Sequence, residues 1–215
     1  MSDITAADHF EDLHTQEHAA RLGMWIFLAS EILFFSAFFV LYASYRTEHP
    51  TGFGVAVLHN TLALGSINTG VLLVSSYTVA LSVHMLRVGK PRTCAWLLGA
   101  TIALGLCFLG IKITEYLKHF SDGIFPGGVG TFYAEHPEPG TKMFFTLYFC
   151  ATGLHAAHVF VGMCVLTVLL TRVVRGLLGP RAPYPLAIGA VYWHLVDLIW
   201  IFLWPLFYLV PGDVS

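Results

Sequence analysis

Five stretches of apolar sequence, each long enough to cross a bilayer, constrain this chain more than any other feature. Crossing about 30 Å of hydrocarbon takes roughly 20 apolar residues in a helix. Residues 22–45, 59–83, 93–117, 143–171 and 186–210 reach that length. A segment in lipid must satisfy its own backbone N–H and C=O groups, which leaves helices or a closed barrel. The runs show no dyad alternation and are too long for barrel strands. The expected fold is therefore all-α and integral to the membrane, a bundle of five transmembrane helices. Charged residues make up 11% of the 215 positions. A soluble domain usually carries about a quarter. The net charge of −2 provides no electrostatic footprint for nucleic acid.

The connections have loop chemistry. Residues 48–54 contain Pro50, Gly52 and Gly54, and residues 121–140 are rich in glycine and proline throughout. Residues 1–21 form a polar, acidic arm with Asp3, Asp8, Glu11, Asp12 and Glu17, expected to be exposed and with room for a short helix. The arm lacks the basic region of a secretory signal, so no cleavage is expected. Residues 22–215 are then a five-helix membrane domain. The first arm, the second loop and the fourth loop hold Arg21, Arg87, Lys90, Arg92, Arg172, Arg175 and Arg181, against Arg46, Lys118 and Lys142 on the other side. This bias predicts a cytoplasmic N-terminus and an external C-terminus. No internal repeat supports an inverted-repeat transporter. Cys94, Cys107, Cys150 and Cys164 form no CxxC pair and read as small core residues.

Ionisable groups inside a bilayer are costly, so each calls for a partner. They are Glu31 in the first run, Lys112 and Glu115 in the third, His155 and His158 in the fourth, and His194 and Asp197 in the fifth. Asn68 in the second joins them as a strong hydrogen-bonding group. At 1.5 Å per residue, Glu31 lies about 14 Å and Asp197 about 16 Å from the inner ends of their helices. His158 falls at a similar depth, and the expected partner of Glu31 is a histidine of the fourth helix, His158 best matching in depth. His155 and His158 share a helix face, as do His194 and Asp197. Lys112 and Glu115 sit nearer the outer end, where the lysine can snorkel or pair. A metal or haem site, a proton pathway through Glu31 and Asp197, and a set of cross-helix pairs that lock the bundle all fit such residues. The metal reading has few ligands: no Glu-x-x-His pair occurs in any of the five expected helices, and no cysteine sits beside a histidine. Trp25, Tyr45, Trp96, Trp204 and Tyr208 lie near helix ends, where interfacial belts form. Gly65, Ser66, Gly99, Gly105 and Gly162 would allow close helix approach.

Five segments, one per helix, carry a resemblance. They are RLGMWIFLASEILFF from Arg21, INTGVLLVSSYT from Ile67, LGLCFLGIKITEY from Leu104, ATGLHAAHVFVG from Ala151 and YWHLVDLIWIFL from Tyr192. In order and spacing the chain resembles subunit III of the heme-copper cytochrome oxidases, the cytochrome c oxidase subunit III family, in its five-helix bacterial form. The resemblance implies a subunit without a redox centre. Such a subunit packs on oxidase subunit I, beside the other oxidase subunits, in the bacterial plasma membrane. It supports sustained oxygen reduction and proton uptake there. Haem and copper are expected in the partner subunits, and phospholipid in a cleft. Glu31, the His155 and His158 pair, His194 with Asp197, and Glu115 fall on the family's motif positions. Larger members carry two further helices before the position of Arg21, forming one wall of the lipid cleft. Lys112 stands where a neutral glutamine is expected. Cytochrome c is the expected electron donor. The alternatives are subunit III of a quinol oxidase, an accessory subunit of a nitric oxide reductase and, from another class, a stand-alone haem-binding or ion-transporting membrane protein.

Overall fold

A computed structural model describes residues 13–180 and 182–209. Each apolar run forms one long helix, and the described residues contain no strand. Helix α1 spans Leu13–Glu48, α2 Pro50–His59, α3 Leu62–Arg87, α4 Pro91–Ser121, α5 Phe132–Glu135, α6 Thr141–Val174 and α7 Tyr184–Trp204. A π-helical turn, Pro205–Leu209, follows α7. The five helices able to cross a membrane are α1, α3, α4, α6 and α7.

Several boundaries differ from the sequence reading. Helix α1 begins at Leu13, so the second half of the polar arm is helical and continuous with the span. Arg21 pairs with Glu17 one turn before it, an i,i+4 contact that supports helix in polar sequence. Residues 50–59, expected to open with a loop, form α2. Pro50 occupies its first turn, where a missing N–H costs nothing. Gly52 serves packing: a Cβ there would stand 2.1 Å from the carbonyl oxygen of Pro139. Helix α4 runs past Leu117 to Ser121, because Lys118 and His119 lie in its last turn and favour the dipole's negative end.

Helix α7 is the central element and α1 the peripheral one: 61% of the apolar window of α7 is buried, against 11% for α1. Helix α7 packs on α1, α3 and α6, while α4 bridges α3 and α6. Trp193, Trp200, Phe108 and Phe144 form the fully buried centre. Gly105 and Gly162 make this packing possible, since a Cβ at either would meet Trp193 at about 3 Å. Gly99 and the exposed Ser66 take no part in close approach; nothing lies within 4 Å of where a Gly99 Cβ would be. Of the cysteines only Cys94 is buried; Cys107, Cys150 and Cys164 face outward, correcting their reading as core residues. Thiols are weakly polar, so an outward cysteine costs little in lipid.

Trp25 and Trp96 project outward as belt residues should. Tyr208 does not: it is buried, because the π turn folds it inward. Pro205 lacks the N–H that would continue the α-helical ladder. The displaced carbonyls find side-chain donors. Tyr42 Oη donates to the carbonyl of Leu206, and Asn60 Nδ2 to that of Phe207 at 2.8 Å. Between α4 and α6, the connection is pinned by Tyr133, whose hydroxyl donates to the Phe125 carbonyl at 2.8 Å. Burial pushes the Tyr133 phenol up to about 12, so it remains a neutral donor near neutral pH.

Candidate functional site

The intramembrane polar residues resolve into distinct groups. Glu31 on α1 and His158 on α6 meet, with Oε2 3.0 Å from Nε2. The other ring nitrogen, Nδ1, lies 2.9 Å from the carbonyl of Leu154. A carbonyl only accepts, so Nδ1 carries a proton. Nε2 then faces a carboxylate oxygen, and one more proton must sit between them. The pair is therefore either an imidazolium with a carboxylate or a neutral imidazole with a protonated acid. Tyr192 caps the same turn by donating to the His158 carbonyl at 3.0 Å.

His194 on α7 contacts Ser76 on α3, with Nδ1 2.7 Å from Oγ. Neither oxygen of Asp197 completes a hydrogen bond among the described residues. Asn68 and His155 are fully buried and their polar atoms likewise find no hydrogen bond there. His155 instead packs its ring against Phe108 and Trp200, at centroid distances of 5.5 Å and 5.1 Å.

The densest group is one that the sequence placed at the outer margin. Lys112 is 2% exposed and Glu115 1%. All three ammonium protons of Lys112 are used: 2.9 Å to Glu115 Oε2, 3.0 Å to Tyr148 Oη and 2.9 Å to Tyr208 Oη. The Tyr208 hydroxyl in turn donates a hydrogen bond to Glu115, at 2.7 Å and 2.9 Å from the two carboxylate oxygens. Four rings surround the ammonium, those of Tyr148, Trp200, Tyr116 and Tyr208, at 4.7–5.6 Å from Nζ to centroid. Each ring face attracts a cation, more strongly when water is absent. Lys112 thus pairs and does not snorkel. Its depth follows from the extra turn of α4, which leaves Ser121 nine residues beyond it. Gly65 on α3 supplies the space, since a Cβ would stand 2.8 Å from the Tyr208 ring.

The sequence reading missed Tyr148 and placed Tyr208 in the interfacial belt, not in this group. Tyr148 had a signal: with Thr152 and His155 it lies at i, i+4 and i+7 on one face of α6. Tyr208 had none, because only the π turn directs it inward. His119, one turn beyond Glu115, is also buried among Phe145, Tyr148 and Phe149, and among the described residues its ring nitrogens find no hydrogen bond. Among the described residues, no three His, Cys, Asp or Glu side chains gather as a metal-binding group.

This geometry defines a class of protein: a membrane bundle that holds two ion pairs inside it, Glu31 with His158 across helices and Lys112 with Glu115 within α4. Sequence comparison gives the family. The model of the family described as cytochrome c oxidase subunit III matches residues 1–211. The chain is 32% identical over 194 residues to a probable quinol oxidase subunit 3 of Staphylococcus epidermidis, covering 88% of each. It is 30% identical to the quinol oxidase subunit 3 of Bacillus subtilis, over 88% of this chain and 86% of that one. To the cytochrome c oxidase subunit 3 of Sus scrofa it is 30% identical, over 94% of this chain and 74% of the relative. The chain belongs to the cytochrome c oxidase subunit III family, within the heme-copper oxidases. It is a multi-pass bacterial membrane protein and part of an oxidase complex.

Proposed function

We propose that the chain is a non-catalytic subunit III of a respiratory terminal oxidase that draws electrons from cytochrome c. In this reading it packs directly on subunit I and sustains oxygen reduction and proton uptake there. Family membership over residues 1–211 is the observation that carries the reading. Glu31 is committed to His158 and Lys112 to Glu115, and no described cluster of three side chains offers a metal its ligands. In the same reading, haem and copper belong to the partner subunits, as the family resemblance implies. The outward apolar face of α1 is assigned to subunit I and to phospholipid. A quinol as donor is the second reading, favoured by the relatives named quinol oxidase subunit 3.

The test is oxygen consumption against time by the purified complex, with and without this chain. Removal should spare haem and copper and leave initial turnover largely intact, because no electron carrier is lost. Activity should then decay faster than in the complete complex, as subunit I loses the cover on one flank. Immediate loss of turnover with all metal centres assembled would overturn the supporting role. Running the assay with reduced cytochrome c and with a quinol decides the donor.

A further inference from the structure

Two histidines outside the spanning helices meet at the end of the bundle expected to be external. His59 closes α2 and His136 caps α5, so they come from connections on either side of α3 and α4. Their ring centroids are 5.1 Å apart, with an interplanar angle of 68°. The buried ring of Phe132 lies against both, 4.7 Å from that of His59 and 4.5 Å from that of His136. Each imidazole has an oxygen acceptor before its Nδ1. That of His59 lies 3.0 Å from the Val55 carbonyl. A carbonyl only accepts, so this nitrogen holds the proton and Nε2 keeps a bare lone pair. Nδ1 of His136 faces Glu138 Oε2 at 4.0 Å. That oxygen is buried and completes no hydrogen bond among the described residues. A buried carboxylate oxygen calls for a donor, and the His136 ring is the group that faces it. A proton on Nδ1 leaves the second Nε2 bare as well.

We propose that His59 and His136 are the two protein ligands of a site for a divalent transition ion of the zinc kind, which clips the α4–α6 connection to α2. The separation of the rings suits this. With a zinc–nitrogen bond of about 2.0–2.1 Å and a ring radius of roughly 1.1 Å, two imidazoles on a tetrahedral ion have centroids about 5.2 Å apart. The partners at Nδ1, a backbone carbonyl and a carboxylate, are the kinds that fix the tautomer and direction of ligating histidines. Imidazole selects zinc, copper or nickel over magnesium and calcium. Two ligands leave the remaining positions to water, in keeping with the lack of any three-residue metal group among the described residues. The site therefore takes an exchangeable ion, unlike the closed four-ligand sites of structural zinc. Solvent can deliver it, because His59 is exposed and the His136 side chain keeps 31% of its surface. Lys118 reaches the turn between α2 and α3, but its ammonium is held by Thr61 Oγ1 at 3.2 Å. The site depends neither on which donor feeds the oxidase nor on the supporting role.

The experiment is equilibrium dialysis of the purified oxidase complex, without a histidine tag, against radioactive Zn²⁺. The signal is the difference between the native complex and each variant, which cancels zinc bound elsewhere. His59→Gln and His136→Gln should each remove the same single equivalent, weakening it by no less than the ~10–100-fold typical of losing an outer partner. The double variant should lose no more than either single one, since one ion is shared. Glu138→Gln keeps both ligands and should weaken binding about tenfold, at the low end of that range. His49→Gln, at the opposite end of α2, should leave the titration unchanged, as should a large excess of Mg²⁺. Hydrogen exchange supplies a second readout: amides of residues 131–138 should slow with zinc in the native complex and in neither ligand variant. Unaltered haem spectra check assembly, and the two ligand variants change different segments. Superimposed titrations of the native complex and the double variant would overturn the proposal. So would displacement of the equivalent by Mg²⁺, which would assign it to carboxylates, or unequal losses from the two single variants.

Discussion

Lys112 and Glu115 keep 2% and 1% of their side chains exposed, whereas His158 and Glu31 keep 19% and 16%. Both pairs belong to membrane-spanning helices, and both join a cation-forming group to a carboxylate. They differ in what surrounds them. The Lys112 group is closed: two tyrosine hydroxyls and four aromatic rings complete its shell. The Glu31 pair lies on the seam between the peripheral α1 and α6, and among the described residues one carbonyl is the only further acceptor at the ring. Depth along the membrane normal, which is what sequence reveals, therefore does not measure how completely a group must be satisfied. Burial within the bundle does, and burial depends on which helix is central.

The largest effect should follow from opening the closed group. Glu115→Leu leaves the ammonium of Lys112 buried without its counter-charge, a class of change that costs about 3–5 kcal/mol. The double variant Lys112→Met, Glu115→Leu removes both charges and should recover most of that loss, because apolar replacement of a buried pair is often neutral. The check is thermal unfolding of the complex in detergent, with the single and double variants run as a cycle. A Glu115→Leu variant as stable as the native chain would show that the group is not a lock.

A smaller effect should come from crowding the same group without touching its charges. Gly65→Ala places a Cβ 2.8–3.0 Å from three atoms of the Tyr208 ring. Overpacking of this kind costs about 1–3 kcal/mol. Part of that is offset by the better helix propensity of alanine, up to about 1 kcal/mol. Gly99→Ala, with nothing within 4 Å, should show only the favourable part. Comparing the two midpoints separates packing from propensity. Equal shifts would mean that the Tyr208 ring yields freely, and that the closed group is softer than its bonding suggests.

The five spans were legible because apolar length in lipid admits few structures. The meeting of Glu31 with His158 was legible for a related reason: each interrupts the middle of an apolar run, where a partner is obligatory. What was not legible depended on local breaks in regularity. Pro50 and Gly52 read as a loop, since sequence alone does not separate a proline in a first helical turn from one in a bend. Lys118 and His119 read as the edge of the membrane, which moved Lys112 outward by a turn. Tyr208 read as an interfacial aromatic because an α-helix would carry it to the surface, and the π turn after Trp204 reverses that. Ser76 carried no signal, as a hydroxyl on an apolar helix usually bonds its own backbone.

The smallest effect concerns the seam, and it tests whether partial exposure lowers the cost of losing a partner. In Glu31→Gln the amide can donate to Nε2 of a neutral His158, while Nδ1 keeps the Leu154 carbonyl. The hydrogen bond survives and the shared proton is lost, so stability should change by less than the ~0.6 kcal/mol average for cross-helix bonds in membranes. Glu31→Leu leaves Nε2 without a partner. Full burial would cost ~1–3 kcal/mol for such an orphan, but the exposed edge of the ring allows relaxation, so the low end is expected. Unfolding midpoints of the two variants, measured beside Glu115→Leu, give the scale. If Glu31→Leu proved as damaging as Glu115→Leu, exposure would not distinguish the two sites, and the seam would have to be closed in the assembled complex by a neighbour that seals the pair as tightly as the aromatic cage seals Lys112.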